Sequence, residues 1–167
     1  MKITFGMANP LNRRDFLVRA AALAGAAALA HRPVAAQAPG ARVTVYKDPS
    51  CGCCTAWNAA MQKVGFTIDV RDTPNISAVK ASLGVPTALA SCHTGVAAGY
   101  LFEGHVPPDL VQKVLRERPA LVGLFVPGMP GGSPGMEGPN PERYDVIALG
   151  RDQRQTVYAT RMGRASA

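Results

Sequence analysis

Three of the four cysteines in this 167-residue chain fall within one four-residue stretch, CGCC, at positions 51–54. The fourth, Cys92, is followed directly by a histidine, His93. Thiolates and imidazoles are the ligands that metal ions such as Cu(I) and Zn(II) prefer in proteins. The pattern therefore predicts a soft-metal site with Cys51 and Cys54 as its first ligands. Further candidate ligands are Cys92, Cys53 and His93.

The same spacing also fits a redox pair. A helical turn that begins at CGCC would bring the sulfurs of Cys51 and Cys54 onto one face and, unless the turn is irregular, direct Cys53 elsewhere. Unpaired backbone N–H groups and the positive end of the helix dipole stabilise a thiolate at such a place. An alternative function is therefore a thiol–disulfide oxidoreductase, with Cys51 as the nucleophile and Cys54 as the resolving thiol.

A third interpretation is that the four cysteines form two disulfides in an oxidising compartment and staple an adaptor protein. A domain of this length can bury its own core, however, and does not need staples. A third thiol beside the C-x-x-C pair would also give a redox pair competing disulfides. The metal site is therefore the preferred interpretation, and whether the protein is an enzyme stays open.

A second candidate region is the loop PGMPGGSPGMEGPNPER, residues 127–143, which holds five glycines and five prolines. This composition excludes regular structure, and long loops in compact domains tend to be functional or disordered. The triplet Pro-Gly-Met occurs twice, and the thioethers of Met129 and Met136 are soft ligands suited to Cu(I). Both are candidate copper ligands, although they could instead cap the core or lie in a linker.

His105 is expected to be a turn residue rather than a ligand.

Hydrophobic periodicity places these residues on alternating strands and helices. Residues 42–47 alternate apolar and polar side chains as a strand does, and residues 53–64 show helical spacing up to Gly65, a typical helix-ending residue. A second strand (66–70), a second helix (76–83), two short strands and a third helix (107–119) follow. The predicted fold is therefore α/β, in the order β-α-β-α-β-β-α, followed by the Gly/Pro/Met-rich loop and a C-terminal β-hairpin.

The N-terminal residues are typical of a bacterial twin-arginine export signal. Arg13 and Arg14 precede an alanine-rich run of 11 residues, 20–30. That run is too short to span a bilayer of roughly 30 Å. Small-x-small cleavage sites follow it. We therefore expect residues 1–38 to be removed and residues 39–167 to form a single domain in the periplasm, without membrane attachment.

The net charge of the whole chain, +7, overstates the charge of this mature domain. Residues 1–38 contain five basic residues and one acidic residue, which leaves 13 basic and 10 acidic residues and a net charge of +3. The remaining sequence contains no basic run interleaved with aromatic residues. Nucleic acid is therefore not an expected partner.

Three sequence blocks resemble a bacterial family known as domain of unknown function 411: VYKDPSCGCC, GVPTALASCHTGVAAGYLFEGHVP and GLFVPGMPGGSPGME. The resemblance covers residues 42–161 and implies a periplasmic metal-binding protein associated with copper resistance. The C-x-x-C that opens the first helix, and GVPT with its implied cis-proline, also resemble the thioredoxin fold. That fold would bring Cys92 and His93 near CGCC. We therefore expect a thioredoxin-like domain that binds Cu(I), or else zinc, and that interacts with a periplasmic copper-handling protein.

Overall fold

The computed structural model describes residues 40–164 of the chain. The predicted export signal, residues 1–38, lies outside the described residues and stays a prediction. Within the described range, no helix is both long enough and apolar enough to cross a membrane.

Residues 40–164 form a mixed α/β fold with one seven-stranded sheet and three α-helices. The strands are β1 (Arg42–Lys47), β2 (Thr67–Asp72), β3 (His93–Ala97), β4 (Tyr100–Glu103), β5 (Leu121–Phe125), β6 (Arg143–Gly150) and β7 (Gln155–Met162). The helices are α1 (Gly52–Lys63), α2 (Ile76–Ser82) and α3 (Pro108–Glu117). The sheet order is β2-β1-β3-β4-β5-β6-β7. Two pairs, β1 with β2 and β4 with β5, are parallel, and the others are antiparallel.

The sequence pattern predicted the order of the first four strands and three helices, but the sheet contains one strand more than expected. The additional strand is β5, whose sequence LVGLF is a continuous apolar run. Such a run has no alternation that would separate a strand from a buried helix. Because β5 pairs with both β4 and β6, it joins the C-terminal hairpin β6–β7 to the rest of the sheet.

The thioredoxin-like arrangement remains a prediction, and one detail of it is wrong. Within residues 40–164 all peptide bonds are trans, including the bond before Pro86 in GVPT. A cis-proline at this position, which the resemblance implied, is therefore not a feature of this chain.

Packing of α1 on the sheet places the CGCC segment beside the start of β3. Trp57 and Met61 on this helix are fully buried, and burying a side chain such as Met61 contributes on the order of 2 kcal/mol. The indole N–H of Trp57 donates a hydrogen bond to the carbonyl of Val106 (2.9 Å). A Cβ atom at Gly95 on β3 would lie only 3.4 Å from the indole ring, so the glycine allows the close approach of helix and strand.

Candidate metal centre

The turn between β1 and α1 sets the position of the CGCC segment. The Asp48 carboxylate accepts hydrogen bonds from the backbone N–H (2.8 Å) and the hydroxyl (2.5 Å) of Ser50. The carbonyl of Asp48 accepts a hydrogen bond from the N–H of Cys51 (3.0 Å). Cys51 is the N-cap of α1 and has an extended backbone, with φ −73° and ψ 96°. It therefore lies just outside the helical repeat.

Cys51 and Cys54 form a disulfide, with their Cα atoms 5.4 Å apart. Their sulfurs share one face of the first helical turn, as the spacing indicates. Cys54 is fully buried, and Cys51 is half-buried. Cys53 and Cys92 are free thiols. The four cysteines therefore do not form the two disulfides that the stapled-adaptor interpretation requires.

All four cysteine sulfurs converge, and lie within 4.8 Å of one another. Cys53 does not point elsewhere, as it would in a regular turn, because its sulfur lies 3.6 Å from that of Cys51. The reason is the extended backbone of Cys51, which places its side chain outside the regular helical spacing. The sulfur atoms of Cys51, Cys53 and Cys54 therefore lie close together at the start of α1.

Cys92 brings the fourth sulfur from the residue immediately before β3. Its side chain is half-buried, and its sulfur lies 3.2 Å from Nδ1 of His93. His93 is fully buried and packs against the indole of Trp57, with ring centroids 4.6 Å apart. Because Cys92 lies before the strand rather than within it, both its sulfur and the neighbouring imidazole reach the same region.

Whether His105 is a turn residue rather than a ligand stays a prediction, because it lies in the bend after β4 but its side chain reaches Cys92. It is fully buried, and its Nε2 lies 3.1 Å from the sulfur of Cys92. Its Nδ1 donates a hydrogen bond to the carbonyl of Pro134 (2.8 Å), which leaves the lone pair of Nε2 directed at the sulfur. The register of the β3–β4 hairpin could have revealed the contact between His105 and Cys92, because pairing Thr94 with Glu103 puts position 92 opposite position 105.

Burial keeps these side chains uncharged at neutral pH. It raises the pKa of the Cys92 thiol to about 12, with a further contribution from the neighbouring Cys53. It holds the pKa of His93 well below the usual range, assisted by the neighbouring imidazole of His105 and the ammonium group of Lys80. Burial also lowers the pKa of His105, although its bond to the Pro134 carbonyl opposes this effect. Neutral imidazoles can bind a metal ion directly, and the thiol would release its proton on binding.

The Gly/Pro/Met-rich loop contacts this cluster at both of its Pro-Gly-Met triplets. The carbonyl of Gly128 accepts a hydrogen bond from the hydroxyl of Ser91, the residue before Cys92. Gly135 packs on the first turn of α1, where an added Cβ would lie 2.9 Å from the carbonyl oxygen of Cys53. Of the methionines that follow these glycines, Met129 is 55% exposed and Met136 is half-buried. Their role as copper ligands stays a prediction.

The side chains at this site match the preferences of a soft metal ion. Within residues 40–164, the two groups of converging donors contain cysteines and histidines but no carboxylates. Sulfur and imidazole donors suit copper and zinc, whereas calcium and magnesium require oxygen. The Nε2 atom of His93 is buried without a hydrogen-bond partner among the described residues, which a bound ion or water would account for.

Known proteins resemble this chain in both sequence and structure. Residues 89–136 match the family model described as a protein of unknown function, DUF411. This segment contains Cys92, His93 and His105. Two solved structures of copper resistance protein CopG are each 45% identical to the chain. Form 2 has a TM-score of 0.70, with coverage of 73% of this chain and 98% of the other. Form 1 has a TM-score of 0.69, with coverage of 74% and 99%. No curated protein sequence matches.

Proposed function

This chain belongs to the DUF411 family as a relative of the copper resistance protein CopG, and on that premise we propose that it binds Cu(I) in copper resistance. The family resemblance predicted from the sequence is confirmed. The observation that carries the proposal is the convergence of four cysteine sulfurs within 4.8 Å. Thiolate sulfur favours Cu(I), and a cluster of four largely shielded thiolates would sequester the ion from other reactions.

Reduction of the Cys51–Cys54 disulfide must precede binding by all four cysteines. A dithiol reductant supplies two electrons and two protons, so that the S–S bond breaks and two thiols form while the reductant becomes a disulfide. Each thiol then loses its proton when its sulfur binds copper. In the oxidised state only Cys53 and Cys92 retain thiols. Copper binding and disulfide formation therefore compete for the same sulfur atoms.

His105 adds a nitrogen donor to this set, and the loop would add thioethers. The Nε2 atom of His105 lies beside Cys92, and its orientation is fixed by the bond from Nδ1 to Pro134. Met129 and Met136 follow loop residues that contact the site. Zinc is a second candidate ion, because mixed sulfur and nitrogen sites also suit Zn(II).

The location, the partner and the detailed fold form part of the same proposal. The twin-arginine pattern in residues 1–38 supports a periplasmic location, where a second copper-handling protein would supply or receive the ion. The strand order β2-β1-β3-β4, with β3 antiparallel to β1, supports a thioredoxin-like arrangement of the first four strands with α1, α2 and α3.

A second candidate function is thiol–disulfide exchange, and the observed Cys51–Cys54 disulfide favours it. Cys51 is the more exposed of the two residues and lies at the start of α1, as an attacking thiol would. The adjacent free thiols of Cys53 and Cys92 are an argument against it, because they could attack the same disulfide.

Replacing Cys92 with serine distinguishes the two functions. The reduced wild type and Cys92→Ser are compared anaerobically by competition with a Cu(I) chelator and by an insulin reduction assay. A serine hydroxyl is a much poorer ligand for a soft ion, so we expect the Cu(I) affinity to fall by at least about tenfold. Exchange through Cys51 and Cys54 does not need Cys92 and should persist. Unchanged copper affinity together with strong reductase activity would favour the oxidoreductase. Circular dichroism checks that both proteins are folded.

A further inference from the structure

A fully buried carboxylate lies at the end of β4, where Glu103 has no exposed surface. Its Oε1 accepts hydrogen bonds from the backbone N–H of Ser91 (2.6 Å) and from the ammonium group of Lys80 (2.5 Å). Its Oε2 accepts one from the hydroxyl of Thr94 (2.6 Å). The ammonium group of Lys80 also donates to Thr94 (3.0 Å). We call these four residues the Glu103 network.

The Glu103 network holds both ends of a two-residue segment of the metal centre. Ser91 directly precedes Cys92, and Thr94 directly follows His93. Both Ser91 and Thr94 donate hydrogen bonds to the same carboxylate, one through the backbone and one through the side chain. A shift of this carboxylate would therefore displace the thiol and the imidazole that lie between the two anchors.

Stability alone does not explain why an ion pair is buried here. Lys80 is 7% exposed and Glu103 is 0% exposed. Removing such charges from water costs on the order of several kcal/mol per ion, and apolar residues of similar volume are often equally or more stabilising. An apolar side chain could not, however, accept the hydrogen bonds of Ser91 and Thr94. The property that distinguishes Glu103 is its pair of correctly placed acceptors.

We propose that Glu103 is a positioning residue of the metal centre. Its carboxylate fixes the segment that carries Cys92 relative to the CGCC segment, and Lys80 neutralises the buried charge. This inference rests on the proposed function, because it concerns the ligands of the same copper site. Hydrogen-bond partners outside the ligands typically change metal affinity by about 10- to 100-fold, so the effect is measurable.

Two double variants separate the hydrogen bonds from the charge. Lys80→Met/Glu103→Gln removes both charges but keeps an amide oxygen that can accept from Ser91. Lys80→Met/Glu103→Leu removes both charges and the acceptor. Thr94→Val removes one donor with little change of shape, and it replaces the leucine variant if that protein does not fold. Val114→Ala deletes buried apolar volume on α3 and controls for a loss of stability alone.

Each reduced protein is titrated anaerobically with Cu(I) against a chelator, and X-ray absorption counts the sulfur ligands per copper. Hydrogen exchange of the Ser91 amide is measured by NMR in the metal-free state. We expect the leucine variant to bind Cu(I) about 10- to 100-fold more weakly, with fewer sulfur ligands and faster exchange at Ser91. Thr94→Val should show a smaller change in the same direction. The glutamine variant should bind Cu(I) like the wild type, and Val114→Ala should lose stability only.

Wild-type affinity and sulfur count in the leucine variant would overturn the inference, and so would an equal loss in the glutamine and leucine variants. If Thr94→Val has to replace the leucine variant, wild-type affinity and exchange in that protein would overturn it. A wild type that binds no Cu(I) would contradict the proposed function instead. In that case hydrogen exchange in the metal-free proteins still tests the inference. If the Ser91 amide of the leucine variant, or of Thr94→Val in its place, exchanges as slowly as in the wild type, Glu103 does not position this segment.

Discussion

The sulfur of Cys92 lies 3.1 Å from Nε2 of His105, although 13 positions separate the two residues in the chain. The antiparallel β3–β4 hairpin brings them opposite each other. The carbonyl of Pro134 in the loop then fixes the imidazole by accepting the hydrogen bond of Nδ1. The start of β3, the end of β4 and the loop therefore meet beside the sulfur of Cys92. Because its Nε2 atom lies at this sulfur, His105 is a candidate ligand.

Replacing His105 with glutamine should weaken Cu(I) binding. The variant loses the imidazole nitrogen beside Cys92, and we expect the Cu(I) affinity of the reduced protein to fall by about tenfold, or roughly 1.4 kcal/mol. Loss of one buried hydrogen bond should lower the free energy of unfolding by only about 1 kcal/mol. Chelator competition measures the affinity, and urea denaturation measures the stability. Wild-type affinity in the folded variant would exclude His105 as a ligand.

Sequence periodicity was sufficient for the elements that carry the cysteines. The alternation in β1 and the helical spacing in α1 predicted a strand followed by a helix, with CGCC at their junction. Sequence periodicity was insufficient for β5, because a short continuous run of apolar residues has no period. The position of this strand depends on pairing with β4 and β6, which are distant in sequence.

The candidate site shows the same division between local and long-range information. Cys51 and Cys54 could be paired from their spacing, but Cys53 required the extended backbone of the N-cap residue. His105 depended on a hairpin register, and the Glu103 network depends on residues from α2, β3 and β4. The network is set by tertiary packing, so no local pattern in a single sequence identifies it, whereas the contact of His105 follows once the pairing of two consecutive strands is known.

Replacing Gly135 with alanine should disturb the metal centre through the backbone. A Cβ atom at this position would lie 2.6 Å from the backbone nitrogen of Trp57 and 2.9 Å from the carbonyl oxygen of Cys53. The residue also has φ +87°, a conformation that costs an alanine about 1–2 kcal/mol. We therefore expect a loss of at least that much unfolding free energy, together with weaker Cu(I) binding.

Gly138→Ala is the matched control for this loop variant. Among residues 40–164, and apart from its two chain neighbours, the only heavy atom within 4 Å of a Cβ at Gly138 is the carbonyl oxygen of Met136, at 3.9 Å. Its unfolding free energy should stay within about 0.5 kcal/mol of the wild type. Equal stability and equal copper affinity in the two alanine variants would show that contact between the loop and α1 does not matter for the site.

Replacing Met129 and Met136 together with leucine should weaken Cu(I) binding while leaving Zn(II) binding unchanged. Leucine keeps a comparable apolar volume but lacks the thioether, which is a ligand for Cu(I) rather than for Zn(II). Met162→Leu is the control, because this methionine is 67% exposed on β7 and belongs to no candidate site. If the double variant and the control bind Cu(I) equally well, the loop methionines are not ligands.

Replacing both Arg13 and Arg14 with lysine should leave the uncleaved precursor in the cytoplasm. The twin-arginine pathway requires the guanidinium pair itself, so lysine retains the charge but should not support export. Arg19→Lys provides the control, because it makes the same chemical change within residues 1–38 but outside the pair. Cell fractionation and immunoblotting of precursor and mature protein measure the outcome. Normal periplasmic accumulation of the double variant would exclude a twin-arginine signal, whereas retention of the Arg19 variant as well would show that the effect is not specific to the pair.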